Sequence, residues 1–223
     1  MKQLAHNLFA VSGKGMFSIP IFVLEKSNGN LTIIDAGLAK DSEAIIKKIN
    51  KKWGSFEKVE RIVFTHRHGD HVQGLYAFLD EMVTISAEAP PEEKIELVTH
   101  EAEAPMFADK LSGKKIKPNR LVKHEEIIDK ELKLKAIHTP GHTFGHLCLL
   151  IEDSKILLLG DLIMNMPFSL RPVFKRFHDN YEQYLETLPV ILDFDWEYAV
   201  TSHMRPSKIS RKKIEKFIKK HAK

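Results

Sequence analysis

The stretch "THRHGDHVQG", residues Thr65–Gly74, places three histidines and an aspartate within six positions: His66, His68, Asp70 and His71. Imidazole nitrogens and carboxylate oxygens suit zinc, and also iron or manganese. His66 and His68 are two apart on a segment that reads as extended, so their rings can project to one side. A tight turn at Gly69 then presents Asp70 and His71 on a different face. One pair can serve one metal and the other pair a second. Neither pair completes a coordination shell, so further ligands must come from elsewhere in the chain.

Working outward, the tetrad follows "VERIVFTH", an apolar run that reads as a strand, and precedes "HVQGLYAFLDEM", which reads as a helix opening directly after Asp70. Upstream, "IPIFVLEK" and "LTIIDAG" are β-rich runs joined by "SNGN", a hairpin signal. "KDSEAIIKKINKKW" reads as a helix that Asp41 can cap, with Ile45, Ile46 and Ile49 on one face. Downstream, "IELVTH", "LKLKAIHT", "HLCLLIED" and "KILLLGD" read as strands, "NYEQYLETLPVIL" as a helix and "WEYAVTSH" as a last strand. The mixture predicts an α/β fold. Three of the later strand-like segments run into a ligand-type residue: His142, Asp161 and His203. Strand ends are rigid supports for a site gathered from distant sequence, so these three are the expected suppliers of the missing ligands. The chain has no set of thiolates, which argues against a structural zinc finger. Histidine and aspartate with room for water point instead to a catalytic metal.

The chain's 223 residues are read as one domain spanning 1–223, long enough to bury its own core. Its single cysteine, Cys148, excludes an internal disulfide and suits a reducing compartment. Cys148 lies inside an apolar strand and is expected to be inert. No signal-peptide pattern or membrane-length apolar run is seen, so a cytoplasmic protein is expected. The net charge of +4 is unevenly spread: from Arg205 onward nine Lys/Arg stand against one Glu, a local +8 that leaves −4 for the rest. In that tail Ile214, Phe217 and Ile218 recur at helical spacing and Ser207 can cap the start. The tail therefore reads as a docked last helix with its lysines in solvent.

Taken in order, "IIDAG", "THRHGDH", "PGHTFGH", "LLGD" and the late "SH" resemble the motifs of the metallo-β-lactamase superfamily, from Asp35 to His203. The resemblance implies a four-layer αββα sandwich with two divalent metal ions, zinc before iron or manganese. It implies that His66, His68 and His142 bind the first metal, that Asp70, His71 and His203 bind the second, and that Asp161 bridges them. Asp35 is implied to order the histidine loop without binding metal. Three departures from the usual motifs occur: Gln73-Gly74 in place of Gly-Gly, Phe144 where proline is frequent, and Ser202-His203-Met204 in place of Gly-His-Gly. None removes a ligand, so they bear on pocket shape.

The chemistry expected of such a site is hydrolysis. A metal-bound water falls in pKa from about 15.7 to roughly 7 and becomes a hydroxide nucleophile, which Asp70 is placed to orient. No Ser or Cys nucleophile is then required. After Asp161 the segment "LIMNMPFSLRPVFKRF" is apolar but irregular. With Phe144, its residues Met164, Met166 and Phe168 are the expected substrate-pocket residues. A small-molecule ester, lactone or thioester fits such a pocket better than nucleic acid. The expected partners are that small substrate and at most a second copy of the chain, with no nucleic acid and no membrane. The alternatives on the same fold are a mononuclear iron oxygenase of persulfide dioxygenase type and a phosphodiesterase. His146 is expected either to support a ligand by hydrogen bonding or to be structural beside the turn, and Arg67 either to support the ligands or to lie at the surface.

Overall fold

A computed structural model of the chain describes residues 1–14, 18–85, 95–107, 117–167, 169–203 and 206–223. The chain divides into two compact units, Met1–Thr99 with Ala104–Leu121, and His100–Glu103 with Val122–Lys223.

The first unit is built on a seven-stranded sheet in the order β1 (Lys2–Gln3), β2 (Leu8–Val11), β3 (Ile21–Glu25), β4 (Leu31–Ile34), β5 (Val59–Val63), β6 (Glu96–His100) and β7 (Arg120–Val122). The expected hairpin is β3 and β4, paired antiparallel. β4, β5 and β6 are parallel neighbours. Parallel strands need crossovers, and α1 (Ser42–Trp53) lies between β4 and β5 in the chain, as α3 (Leu75–Ile85) lies between β5 and β6. Strands β2, β3 and β4 are buried nearly throughout, which explains why they read as continuous apolar runs without alternation. In α1 the apolar positions Ile45, Ile46, Ile49 and Trp53 form one buried face, and Trp53 meets Phe9 edge-on with ring centroids 5.3 Å apart. Each such side chain contributes about 1.5–3 kcal/mol by leaving water. Asp41 precedes α1, but its side chain makes no capping hydrogen bond.

The helix expected after Asp70 is in fact two. A single turn, α2 (Gly69–Val72), ends at Gln73-Gly74, and α3 starts at Leu75. At the break the Gly74 N–H donates to the Gly37 carbonyl at 3.0 Å, and the His71 carbonyl accepts from Ala36 and Gly37. A Cβ at Gly74 would lie 2.1 Å from the Ala36 carbonyl oxygen, so only glycine fits this backbone approach. The short helix α4 (Ala104–Phe107) closes this unit's helices, with Phe107 against Phe64 at 4.9 Å.

The second unit carries a six-stranded sheet in the order β15, β14, β11, β10, β9, β8, made of Ile209–Ser210, Tyr198–Val200, Ile156–Leu158, Leu147–Ile151, Leu134–His138 and Ile127–Asp129. A separate hairpin, β12 (Met164–Met166) and β13 (Ser169–Arg171), occupies the apolar segment after Asp161. The helix at 181 is α5 (Tyr181–Thr187), capped by the Asn180 side chain, and continues as a 3-10 turn to Asp193. The last helix, α6 (Arg211–His221), buries Ile214, Phe217 and Ile218 as their spacing predicts, but its N-cap is Ser210 and not Ser207. Arg211 anchors its start, donating to the Leu192 and Phe194 carbonyls at 2.7 Å each. Among the described residues no helix is long and apolar enough to cross a membrane.

Candidate metal centre

In the first unit the histidine loop begins where β5 ends, and Asp35 stands directly after β4. These strands are parallel neighbours with Ile34 opposite Val63, so the topology delivers Asp35 and Thr65 to the same sheet edge. Asp35 adopts φ 61°, a left-handed conformation that Asp tolerates better than most residues. Its carboxylate accepts from the Thr65 backbone N–H at 2.8 Å, from the Thr65 hydroxyl at 2.9 Å and from His71 Nδ1 at 2.7 Å. The Thr65 hydroxyl, having donated its proton to Asp35, is left to accept from His66 Nδ1 at 3.1 Å. Two protonated Nδ1 atoms follow, which leaves the Nε2 lone pairs of His66 and His71 as the coordinating atoms. The loop backbone is closed by His71 N–H to the His68 carbonyl at 2.9 Å and by Ala36 N–H to the His71 carbonyl at 2.6 Å. The rings of His68 and His71 lie 4.8 and 4.1 Å from that of His66. His66 and His71 are fully buried, while His68 and Asp70 are half-buried. Arg67 is 2% exposed, so of its two expected roles, supporting the ligands or lying at the surface, the surface one does not hold.

In the second unit β11 and β14 run parallel with Leu158 opposite Val200. Asp161 and His203 each lie three residues beyond that pair, and His203 Nε2 comes within 3.0 Å of the Asp161 carboxylate. His142 Nε2 approaches the same carboxylate at 3.5 Å. His142 sits on the turn that Pro140-Gly141 makes. Gly141 has φ 123°, and a Cβ there would lie 2.2 Å from the Tyr184 nitrogen. Asn180 N–H donates to the Gly141 carbonyl and Asp179 N–H to the His142 carbonyl, which fixes the turn.

Two further residues support this cluster, and the sequence left Glu103 unassigned and the role of His146 open. His146 is fully buried and accepts the Asp161 backbone N–H at Nε2 (3.0 Å). Its Nδ1 must then carry the proton and donate to the Thr139 hydroxyl at 2.8 Å. Both ring nitrogens are engaged, so His146 positions Asp161 and is not a ligand. Glu103 is fully buried and accepts the Gly145 N–H at 2.9 Å. Nothing in its polar sequence surroundings signals this. A third cluster, also unsignalled, stacks His100 on His138 with centroids 3.7 Å apart. Burial first, then the neighbouring His138 and His124, lowers the His100 pKa to about 4.

Of the expected pocket residues, Met164 and Met166 lie half-buried on β12, Phe144 is 43% exposed and Phe168 lies outside the described residues, as does Met204. Cys148 is buried, its thiol pushed up to about 12 by burial.

Taken separately, the donor chemistry of each unit's cluster fits a hard or borderline divalent cation: imidazoles with assigned Nε2 lone pairs in the first unit, and imidazoles beside a buried carboxylate in the second. Comparison with known proteins agrees with that class of site. The sequence model of the metallo-beta-lactamase superfamily matches residues 15–203. The chain belongs to the metallo-beta-lactamase superfamily. A hydroxyacylglutathione hydrolase of Buchnera aphidicola subsp. Schizaphis graminum is 30% identical over 191 residues, covering 82% of this chain and 63% of that protein. The chain spans less than two thirds of the length of such curated relatives. Among solved structures, a metallo-beta-lactamase family protein from Thermus thermophilus is similar at TM-score 0.69 and 19% identity, covering 98% of this chain and 80% of that one. A metallo-beta-lactamase from Pontibacter korlensis is similar at TM-score 0.71 and 15% identity, covering 98% and 96%. These likenesses establish the expected α/β metallo-β-lactamase-like fold.

Proposed function

We propose that this protein is a metal-dependent hydrolase that cleaves a small-molecule thioester or ester with two divalent ions, most simply zinc. The observation that carries the reading is the approach of two imidazoles, His142 and His203, to the buried Asp161 carboxylate, an arrangement made for a cation shared between charged and neutral donors. His66, His68, Asp70 and His71 are assigned as the other protein ligands, on motif order within the superfamily and on the tautomers that Asp35 and Thr65 impose.

When bound, the ions supply an activated water near neutral pH and Lewis-acid polarisation of the scissile carbonyl. The chain's own residues do the rest. Asp35 and Thr65 hold His66 and His71 in one tautomer and one orientation. His146 fixes the backbone of Asp161, and Asp179 and Asn180 fix the turn that carries His142. Asp70 is assigned to orient the attacking water. A thioester is favoured over a lactone because the curated relatives include hydroxyacylglutathione hydrolases, whose named substrates carry an acyl group on a thiol.

The test is a hydrolysis screen over thioesters, lactones, phosphodiesters and β-lactams with zinc- and manganese-loaded protein. Turnover of thioesters or esters, lost on chelation and restored by metal, is expected. Activity on phosphodiesters alone would overturn the substrate assignment.

A further inference from the structure

The basic tail holds more than a solvated helix face. Between the hairpin β12–β13 and α6 lies a cavity of about 490 Å³, within the range of small-molecule sites. Its apolar lining includes Leu170, Ile209 and Phe217, and its charged lining is Lys208, Lys213, Lys216 and Lys220. No carboxylate lines it among the described residues. The cations of the tail thus divide into two sets. Arg211 is committed to carbonyls and to Glu215, and Lys223 pairs with Glu182. Lys213, Lys216 and Lys220, at helical spacing around Phe217, make no ion pair among the described residues and share the cavity.

We propose that this cavity is a binding site for a phosphorylated organic anion that carries an apolar portion. Four ammonium groups without a counter-carboxylate match several phosphate charges, whereas a single carboxylate would leave most of them unanswered. The apolar lining calls for an organic part beside the phosphates, which an inorganic ion lacks. A membrane or a nucleic acid would be met by a spread of lysines over an open face, and these four border one cavity together with buried Phe217.

The chain path gives the site a direction. Asn165 lies four residues beyond Asp161, and Ser207 four beyond His203, and the Asn165 amide donates to the Ser207 hydroxyl at 3.3 Å in the cavity wall. Four residues of extended chain reach at most about 14 Å. A ligand anchored by its phosphates in the cavity is therefore held within one extended molecule's length of both residues. On the hydrolase reading, on which this step rests, the anchored part is the phosphorylated carrier of an acyl group.

Isothermal titration of the full chain with coenzyme A, a phosphorylated thiol carrier, tests the site without turnover. The wild type is expected to bind it, with pyrophosphate competing. The Lys213→Glu/Lys216→Glu variant is expected to lose at least tenfold in affinity. The control Lys212→Glu/Lys219→Glu carries the same charge change on helix positions outside the cavity lining and is expected to lose no more than about twofold. All four lysines are exposed, and a thermal melt checks that each variant folds. Absence of coenzyme A binding, or equal losses in both variants, would overturn the proposal. So would lysine-dependent binding of anionic vesicles or RNA without coenzyme A binding. Binding with no hydrolysis of any thioester or ester would keep the site and remove the hydrolase reading.

Discussion

Asp35 holds His71 by a 2.7 Å hydrogen bond from Nδ1, and the same carboxylate holds Thr65 through its backbone N–H and its hydroxyl. One buried side chain thereby sets the tautomer of two assigned ligands. Asp35→Asn keeps a residue that tolerates the left-handed backbone and removes the charge and one acceptor oxygen. Leaving buried donors without a full acceptor is expected to cost about 2–4 kcal/mol in urea unfolding. Zinc affinity, followed by competition with a chromophoric chelator, is expected to fall by roughly 10–100-fold. Unchanged affinity would separate Asp35 from metal binding.

Gly141→Ala is expected to be among the most damaging single changes. The backbone there has φ 123°, and the added methyl would meet the Tyr184 backbone. Strain plus displacement of α5 is expected to lower stability by about 2–4 kcal/mol. Activity should fall further than stability alone explains, since the turn carries His142. A variant with wild-type melting and wild-type turnover would show that the turn tolerates a side chain.

Cys148 is predicted to be silent to thiol reagents in the folded protein. Its thiol is buried and pushed up to about 12, and the thiolate is the reactive form. Mass spectrometry after iodoacetamide should show no adduct under native conditions and full modification in denaturant. Native labelling on the timescale of free cysteine would contradict the packing described.

His100 makes stability depend on pH in a defined direction. Its folded pKa, about 4, lies below the ordinary value of 6.5, so the unfolded chain binds the extra proton. Stability from this group is complete above about pH 6.5 and is lost as the pH falls toward 4. Burial lowers the His138 pKa as well, and the stacked pair therefore acts in the same sense. His100→Gln is expected to flatten the stability profile between pH 6.5 and 4, read by denaturant midpoints. An unchanged profile would assign the acid sensitivity elsewhere.

What was legible in the sequence depended on density and periodicity. Four ligand-type residues in six positions stand out in any chain, and Ile45, Ile46 and Ile49 mark a helix face by spacing alone. Asp161 and His203 were legible as strand-end residues, but their meeting needs the parallel register of Leu158 with Val200, which spacing does not encode. The helix break at Gln73-Gly74 was hidden because the backbone there bonds to Ala36 and Gly37, distant in the chain. His146 looked optional because its role lies in a backbone N–H fifteen residues away in the chain. Glu103 and Arg67 carry charges that usually mark surface, and only tertiary packing buries them. The segment after Asp161 read as irregular because its strands, three residues each, are too short to show alternation.

On the proposed function, His66, His68, Asp70 and His71, and likewise His142, Asp161 and His203, are ligands of two metal ions. Elemental analysis of zinc-loaded protein tests this most directly, comparing wild type with His68→Ala and His203→Ala. Two zinc per wild-type chain and about one in each variant are expected, with folding retained by circular dichroism. Wild-type zinc content in either folded variant, or a single iron per chain in protein purified without added metal, would contradict the assignment.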